Sequence, residues 1–270
     1  MVRGALLALA VAALVAGCGG GKPVAQTTPK PLRQFRVVFP EGLTRAQMIT
    51  TVGDVAKIAE REIHGRKVKL SEPAYAAATA RPRVIPGFGA ARLPLEGFLF
   101  PDTYFFDQKS TSSFLADEQL SEFQDKWMDI DMSYARSKNL TPYDVLKIAS
   151  IIEGEAQAPS EYPLVSAVIY NRLHLGMSLG MDSTLRYGLH VPGNQSLTQS
   201  ELANPTPYNT RLHTGLPPTP IGNPGVLALK AAARPAHVDY LYFVRKPDHV
   251  HHYFTASYQD FLNHEAQYGY

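Results

Sequence analysis

The stretch "LTPYDVLKIASIIEGEA", residues 140–156, carries a helix start signal and two closely spaced acids. Thr141 suits the N-cap position, Pro142 suits the first helical position, and Asp144 can return a hydrogen bond to the cap. The apolar residues that follow recur at helical spacing. The sequence therefore predicts a helix that begins after Thr141 and packs one apolar face into a core.

Two glutamates stand near the end of this predicted helix. Because each residue advances roughly 100° around a helix, Glu153 lies over the apolar stripe that includes Ala149, whereas Glu155 lies about 200° further round and faces away. Burial disfavours the charged form of a carboxyl group, and a protonated acid can donate to a leaving oxygen. Glu153 is thus a candidate general acid. The structural alternative is a glutamate that pairs in the core with an arginine such as Arg172.

Residues 1–18 have the layout of a secretory signal. Arg3 precedes an apolar run that ends at Ala16, and small residues follow. The run is shorter than the roughly 20 apolar residues that a spanning helix needs. "LVAGC", residues 14–18, resembles a bacterial lipobox, in which Cys18 would become the lipidated N-terminus. The alternative is an uncleaved membrane anchor, and both interpretations predict export.

The composition argues against several classes of function. The formal net charge is +2, and no basic patch is interleaved with aromatic residues, which argues against a nucleic-acid or strongly acidic partner. Cys18 is the single cysteine, so the chain can form no internal disulfide and no thiolate metal site. His249 and His251 would share one face of a strand, but no third metal ligand is evident. We therefore predict no metal and no cofactor.

The chain divides into four predicted segments. The signal or anchor (1–18) is followed by a Gly/Pro/Thr-rich flexible tether (19–34). A strand, a turn and a helix capped by Thr44, with a break after its first turns, indicate a small α/β module over 35–92. The rest, 93–270, is predicted to contain these elements: a strand and turn over 93–106, a helix over 112–138, a helix from Ser160 that Gly176 ends, and, within loops from residue 177, a helix over 225–233 and strands over 239–245 and 250–254.

Several motifs in this last segment resemble the endolytic murein transglycosylase family, the YceG-like lytic transglycosylases. In chain order they are "LEGFLFPDTYFF", "ASIIEGEA", "VSAVIYNRL", "MDSTLRYGL", "PYNTRLHTGLPPTPIGNPG" and "YLYFV". They span residues 93–254 without large gaps, and residues 35–92 fall where the family has a LysM-like subdomain. The resemblance implies an α+β fold, with a small LysM-like α/β subdomain followed by a YceG-like catalytic domain.

The resemblance also implies an activity and a place. The activity is endolytic cleavage of the MurNAc–GlcNAc β-1,4 bond in nascent peptidoglycan strands at the outer face of the cytoplasmic membrane, which terminates glycan elongation. The muramoyl 6-hydroxyl attacks the anomeric carbon and leaves a 1,6-anhydroMurNAc end. No water is consumed, so one glutamate can serve as acid and then base, and Glu153 matches the family's catalytic glutamate. The implied partners are glycan strands, the membrane through the N-terminus, and peptidoglycan synthases.

Two other functions remain open at this stage. One is a glycan-binding scaffold that has lost turnover, and the other is a hydrolase in which Glu155 or Asp182 activates water as a second carboxylate. The substrate-binding residues that the resemblance implies are Glu155, Asn171, Arg172, Asp182, Ser183, Thr184, Tyr187, Tyr208, Asn209, Thr210, Leu216, Pro217, Pro218 and His252. Two positions depart from the family pattern: Gly180 replaces a glutamine and Phe261 replaces a histidine, which puts substrate contacts in doubt.

Overall fold

The computed structural model describes residues 32–269, so the predicted signal or anchor, the lipidation site Cys18 and residues 19–31 of the tether lie outside the described residues. The elements in chain order are β1 (Phe35–Val38), α1 (Arg45–Glu62), α2 (Glu72–Ala80), β2 (Arg83–Val84), β3 (Arg92–Leu93), β4 (Thr103–Phe106), α3 (Ser112–Met128), α4 (Ser133–Ser137), α5 (Pro142–Glu155), a 3-10 turn (Pro159–Glu161), α6 (Tyr162–His174), α7 (Asp182–Leu189), α8 (Gln199–Leu202), α9 (Val226–Ala233), β5 (Tyr242–Arg245), β6 (His252–Thr255) and α10 (Tyr258–Tyr268).

The architecture of residues 32–269 is α+β, as predicted, and it is mostly helical. Each sheet is a two-stranded antiparallel pair, formed by β1 with β4, β2 with β3, and β5 with β6. Within the part of the chain that the structure describes, none of the helices combines the length and the apolar character that a bilayer crossing requires.

Helix α5 begins as predicted. The Thr141 side chain accepts a hydrogen bond from the backbone N–H of Asp144, and the Asp144 carboxylate accepts one from the Thr141 backbone at 3.0 Å. Residues along one side of the helix are fully buried, among them Leu146, Ala149 and Ile152. Because α5 packs against α6, α7 and α9, its apolar face lies in the hydrophobic core.

Removal of this cap tests its contribution to stability. We expect Thr141→Ala to lower the free energy of unfolding by about 1 kcal/mol, since the N–H of Asp144 loses its side-chain acceptor. Urea denaturation followed by circular dichroism measures the change. Thr141→Ser, which keeps the hydroxyl, is the matched control, and equal losses in both variants would contradict this role of the cap.

The N-terminal elements form a β-α-α unit that β4 closes. β1 pairs with β4 so that Phe35 lies opposite Phe106 and Val38 opposite Thr103. Helix α1 is continuous, so the predicted break in it is wrong. The physical reason is that Val52, Ala56 and Ala59 continue the buried stripe that Met48 begins, at spacings of three and four residues.

The predicted boundary between residues 92 and 93 falls inside a single unit, Arg33–Tyr270. The β1–β4 pairing crosses this boundary, and the hydrophobic core contains Val37 from the first part together with Ile148 and Leu229 from the second. The packing therefore shows no break at this boundary. The division into 35–92 and 93–270 stays a prediction about function.

Other helices differ from the prediction in their limits. The predicted helix over 112–138 is two helices, because α3 ends at Met128 and Asp131 accepts a hydrogen bond from the N–H of Ser133 to start α4. α5 ends at Glu155, before Pro159, and the helix predicted from Ser160 is α6, which begins at Tyr162 and ends at His174. Residues 182–189, predicted as loop, form α7. The exposed helix α10 was not predicted at all, since none of its residues is buried.

Candidate active site

Glu153 lies half-buried in the last turn of α5, with both carboxylate oxygens occupied. Oε1 accepts a hydrogen bond from the Tyr162 hydroxyl at 2.7 Å, and Oε2 accepts one from the backbone N–H of Gly225 at 3.0 Å. Gly225 is the N-cap of α9, where backbone N–H groups carry partial positive charge. These two donors fix the carboxylate in one orientation and leave the residue open to solvent on its remaining side.

A tight backbone contact brings the turn after β1 to this carboxylate. The N–H of Gly42 donates to the carbonyl of Asn223 at 2.8 Å, and the N–H of Asn223 donates to the carbonyl of Leu43 at 2.9 Å. A Cβ on Gly222 would lie 2.6 Å from the carbonyl oxygen of Gly42, so this close approach requires glycine. The turn therefore lies directly beside the Glu153–Gly225 pair.

Glu155 has a different environment from the predicted one. It does not face solvent freely, because its Oε1 accepts hydrogen bonds from Ser183, at 3.1 Å from the backbone N and 2.6 Å from the hydroxyl. Burial raises the pKa of Glu155, and the Ser183 hydrogen bonds oppose that rise. Gly154 permits the contact, since a Cβ there would lie 3.0 Å from the Ser183 side chain. Glu155 thus anchors the first turn of α7 to the end of α5.

His252 is buried against an acid that the sequence analysis did not single out. Its Nδ1 lies 2.7 Å from Glu161 Oε2, and its backbone N–H donates to Glu161 Oε1 at 2.9 Å. Both side chains are almost inaccessible, at 3% and 10% of their full exposure. The pair joins the start of β6 to the turn before α6. His252 is also one of the groups that lower the pKa of Glu155.

A buried carboxylate, Glu96, joins three parts of the fold. It accepts hydrogen bonds from the backbone N–H of Arg45 at 2.8 Å, the Tyr187 hydroxyl at 3.0 Å and the Asn223 amide at 3.1 Å. Burial raises the pKa of Glu96 to about 7, although these donors oppose the rise. The network connects the N-terminus of α1 and the helix α7 to the segment that ends at Gly225.

The motifs around this site match a known family. The sequence pattern of the YceG-like family matches residues 10–267. The chain belongs to this family. A solved structure described as a yceG-like protein from Listeria monocytogenes superposes with a TM-score of 0.62 at 26% identity, and the match covers 84% of this chain and 74% of the other.

Curated relatives carry a name for their activity. The chain is 31% identical over 220 residues to a protein named endolytic murein transglycosylase from Streptococcus pneumoniae (strain ATCC BAA-255 / R6), which covers 77% of this chain and 40% of the relative. It is 29% identical over 217 residues to a protein of the same name from Bacillus subtilis (strain 168), covering 78% of this chain and 59% of the relative. The chain therefore spans less than two thirds of these relatives.

Two residues of the YceG-like "NRL" motif are engaged with backbone carbonyls. The Asn171 amide donates to Val238 and Tyr240, each at 2.9 Å, and it lines a shallow depression that does not include Glu153. The Arg172 guanidinium donates to the carbonyls of residues 241, 178 and 179 at distances from 2.7 to 3.3 Å. Both side chains hold the chain around β5, and Arg172 does not pair with Glu153. Their role in substrate binding stays a prediction.

The remaining predicted positions cluster around α7. The carboxylate of Asp182 pairs with Arg211, and the buried hydroxyls of Thr184 and Thr210 lie 2.9 Å apart. The buried Asn209 amide donates to two carbonyls of the preceding loop. The side-chain hydrogen bonds of these residues are thus used inside the fold, and their substrate contacts also stay predictions.

The aromatic and proline positions differ in their exposure to solvent. Tyr187 and Tyr208 are half-buried with ring centroids 5.0 Å apart, and the Tyr208 hydroxyl lies 2.8 Å from Thr219. Of the loop that follows, Leu216 is half-buried, Pro217 is buried and Pro218 is exposed. Gly180, one departure from the family pattern, has a φ of +64°, a conformation that favours glycine over glutamine. Its effect on activity stays a prediction.

Sequence reasoning missed the partners of Glu153. Glu41, Tyr162 and Gly225 come from three separate parts of the chain. The available signal was the pair of glycine-containing turns, "PEG" at 40–42 and "GNPG" at 222–225, since glycine often marks a close approach of two backbones. Nothing in either turn indicates which segment it meets.

The titration of Glu96 predicts a pH-dependent stability. Its pKa is about 7 in the fold against an ordinary value of 4.5, so its proton stabilises the fold. This contribution is fully present below pH 4.5 and is lost as the pH rises through about 7. We expect the free energy of unfolding to fall by about 3 kcal/mol over that window, and Glu96→Gln to remove this fall.

Urea unfolding of both proteins across the window measures the effect. Glutamine keeps the oxygen that Arg45 and Asn223 bind and can donate to the Tyr187 hydroxyl, so the variant is expected to fold. A variant whose stability depends on pH as steeply as the wild type would show that another group is responsible.

Proposed function

We propose that this chain is a lytic transglycosylase that cleaves the MurNAc–GlcNAc β-1,4 bond inside peptidoglycan strands, with Glu153 as its single acid and base. The observation that carries the proposal is the Glu153 carboxylate, half-buried at the end of α5 and oriented by Tyr162 and Gly225. Homology supports the proposal in two ways. The chain belongs to the YceG-like family, and its curated relatives are named endolytic murein transglycosylase.

The chemistry requires one proton carrier. Protonated Glu153 donates its proton to the glycosidic oxygen, and the bond from the muramoyl anomeric carbon to that oxygen breaks. The muramoyl 6-hydroxyl forms a new bond to the same carbon, and its proton goes to the Glu153 carboxylate. The products are a 1,6-anhydroMurNAc end and a free GlcNAc end, and Glu153 is protonated again. Because no water enters, the two-carboxylate arrangement of glycoside hydrolases is not required.

The geometry favours this reaction over the hydrolase alternative. Glu155 is bound to Ser183 and the Asp182 carboxylate is paired with Arg211, so each candidate for activating water has another partner. We further propose that residues 35–92 act as a LysM-like glycan-binding subdomain. The place of action would be the outer face of the cytoplasmic membrane, with attachment through Cys18 or an N-terminal anchor and peptidoglycan synthases nearby.

The test is the chemistry of the product end. The full chain in detergent is incubated with uncrosslinked peptidoglycan strands, and the products are analysed by mass spectrometry. We expect ends in anhydro-muramic acid, one water lighter than hydrolysed ends. Hydrated reducing ends would replace the proposal with a hydrolase. Retained glycan binding without any cleavage would replace it with a binding scaffold.

A further inference from the structure

Glu41, in the turn after β1, lies against Gly225, the residue whose backbone N–H binds Glu153. A Cβ placed on Gly225 would lie 1.6 Å from Glu41 Oε1 and 2.0 Å from the carboxyl carbon, so this carboxylate occupies the space that a side chain would need. The N–H of the same Gly225 donates to Glu153 at 3.0 Å. The carboxylates of Glu41 and Glu153 therefore both lie against Gly225.

The backbone holds this arrangement in place. The paired hydrogen bonds of Gly42 and Leu43 with Asn223 fix the turn against the segment before α9. Gly42 has a φ of +81°, and a Cβ there would lie 3.3 Å from Glu153 Cγ. The turn thus contacts Glu153 directly. Glu41 itself is exposed, which leaves it accessible to a glycan that reaches Glu153.

The charges around the pair can be named for the described residues. Burial and the charge of Glu153 raise the pKa of Glu41. Tyr162, at the start of α6, interacts with both carboxylates and donates its hydroxyl to Glu153. At the start of α9, the backbone N–H of Gly225 donates to Glu153. The second acid near the end of α5, Glu155, binds Ser183 of α7 and not this pair. No cation among these contacts compensates the two carboxylates.

We infer that Glu41 is a second carboxylate of the active site, and that it forms with Glu153 a pair that shares one proton. This inference rests on the proposed function and deepens it. Two adjacent carboxylates cannot both ionise easily, so the pair keeps one proton to a higher pH than an isolated glutamate would. Glu41 is a positioning residue that acts through Glu153.

The shared proton fits the reaction without changing its balance. Glu153 gives the shared proton to the glycosidic oxygen as the bond to the anomeric carbon breaks. It takes one proton from the muramoyl 6-hydroxyl as the new bond forms.

The test is the pH dependence of cleavage by the full chain in detergent on uncrosslinked glycan strands. For Glu41→Gln we expect the alkaline limb of kcat/KM to move to lower pH by about one unit, which lowers the rate on that limb about tenfold. On the acidic plateau the rate should stay within about threefold of wild type. Glu265→Gln, the same change on helix α10, is the matched control and should keep the wild-type profile.

A second variant displaces Glu41 without altering it. Gly225→Ala places a methyl group where the Glu41 carboxylate lies, and the φ of −80° at this residue suits alanine. We expect Gly225→Ala to shift the alkaline limb of kcat/KM as Glu41→Gln does. The double variant, which carries both changes, should show no further shift. If the pH profile of kcat/KM for Glu41→Gln keeps the wild-type shape, at any overall rate, the inference is wrong. Anhydro-muramic products from that variant would still support the proposed function. Anhydro-muramic products formed by Glu153→Gln at the wild-type rate would instead overturn the proposed function.

Discussion

Replacing Glu153 by glutamine is expected to lower the rate of glycan cleavage by about 10²–10⁴-fold, the range that a positioned general acid contributes. Glutamine matches glutamate in size; its amide oxygen can accept from the Gly225 N–H and its amide nitrogen can donate to the Tyr162 hydroxyl, so the site keeps its shape. It cannot give a proton to the glycosidic oxygen. The rate of appearance of anhydro-muramic ends, measured by mass spectrometry at a fixed glycan concentration, reports the effect.

Controls separate this loss from unfolding. The thermal melting curve and glycan binding of Glu153→Gln should match the wild type, and Glu265→Gln, in α10, should cleave at the wild-type rate. Glu155→Gln gives the informative comparison, because Glu155 binds Ser183 rather than Tyr162 and Gly225. Full activity in Glu153→Gln together with complete loss in Glu155→Gln would contradict the assignment of the acid.

Asn223→Ala is expected to lower the free energy of unfolding by about 3 kcal/mol or more. Asn223 is fully buried and its side chain makes bonds in three directions. Its amide donates to the carbonyl of Leu43 at 2.8 Å and to Glu96 at 3.1 Å, and its oxygen accepts from the N–H of Leu99 at 2.9 Å. Alanine leaves the buried N–H of Leu99 without this acceptor and removes a donor that favours ionised Glu96.

Urea denaturation at constant pH measures this loss. The matched control is Asn263→Ala in α10, an exposed asparagine that accepts a single bond from Gln259, and it should change stability by less than about 0.5 kcal/mol. A loss of similar size in both variants would mean that the Asn223 network contributes little beyond an exposed hydrogen bond. Because Asn223 joins the turn after β1 to the segment before α9, its loss should also reduce cleavage.

The local parts of the fold could be read from the sequence with some accuracy. The capping box at Thr141 and the apolar stripe of α5 depend on residues within one or two turns, so the predicted helix start is confirmed. The predicted loop at 182–189 was wrong because the start of α7 is bound by Glu155, a partner that is distant in the chain.

The sequence by itself determined that Glu153 follows a buried helical stripe, and its motifs determined the family. Only the tertiary structure decided what surrounds that acid. Tyr162, Gly225 and Glu41 reach it from the start of α6, the N-cap of α9 and the turn after β1. Helical periodicity is a short-range property and can be read along the chain. The meeting of two glycine turns depends instead on how whole elements pack, which no local pattern specifies.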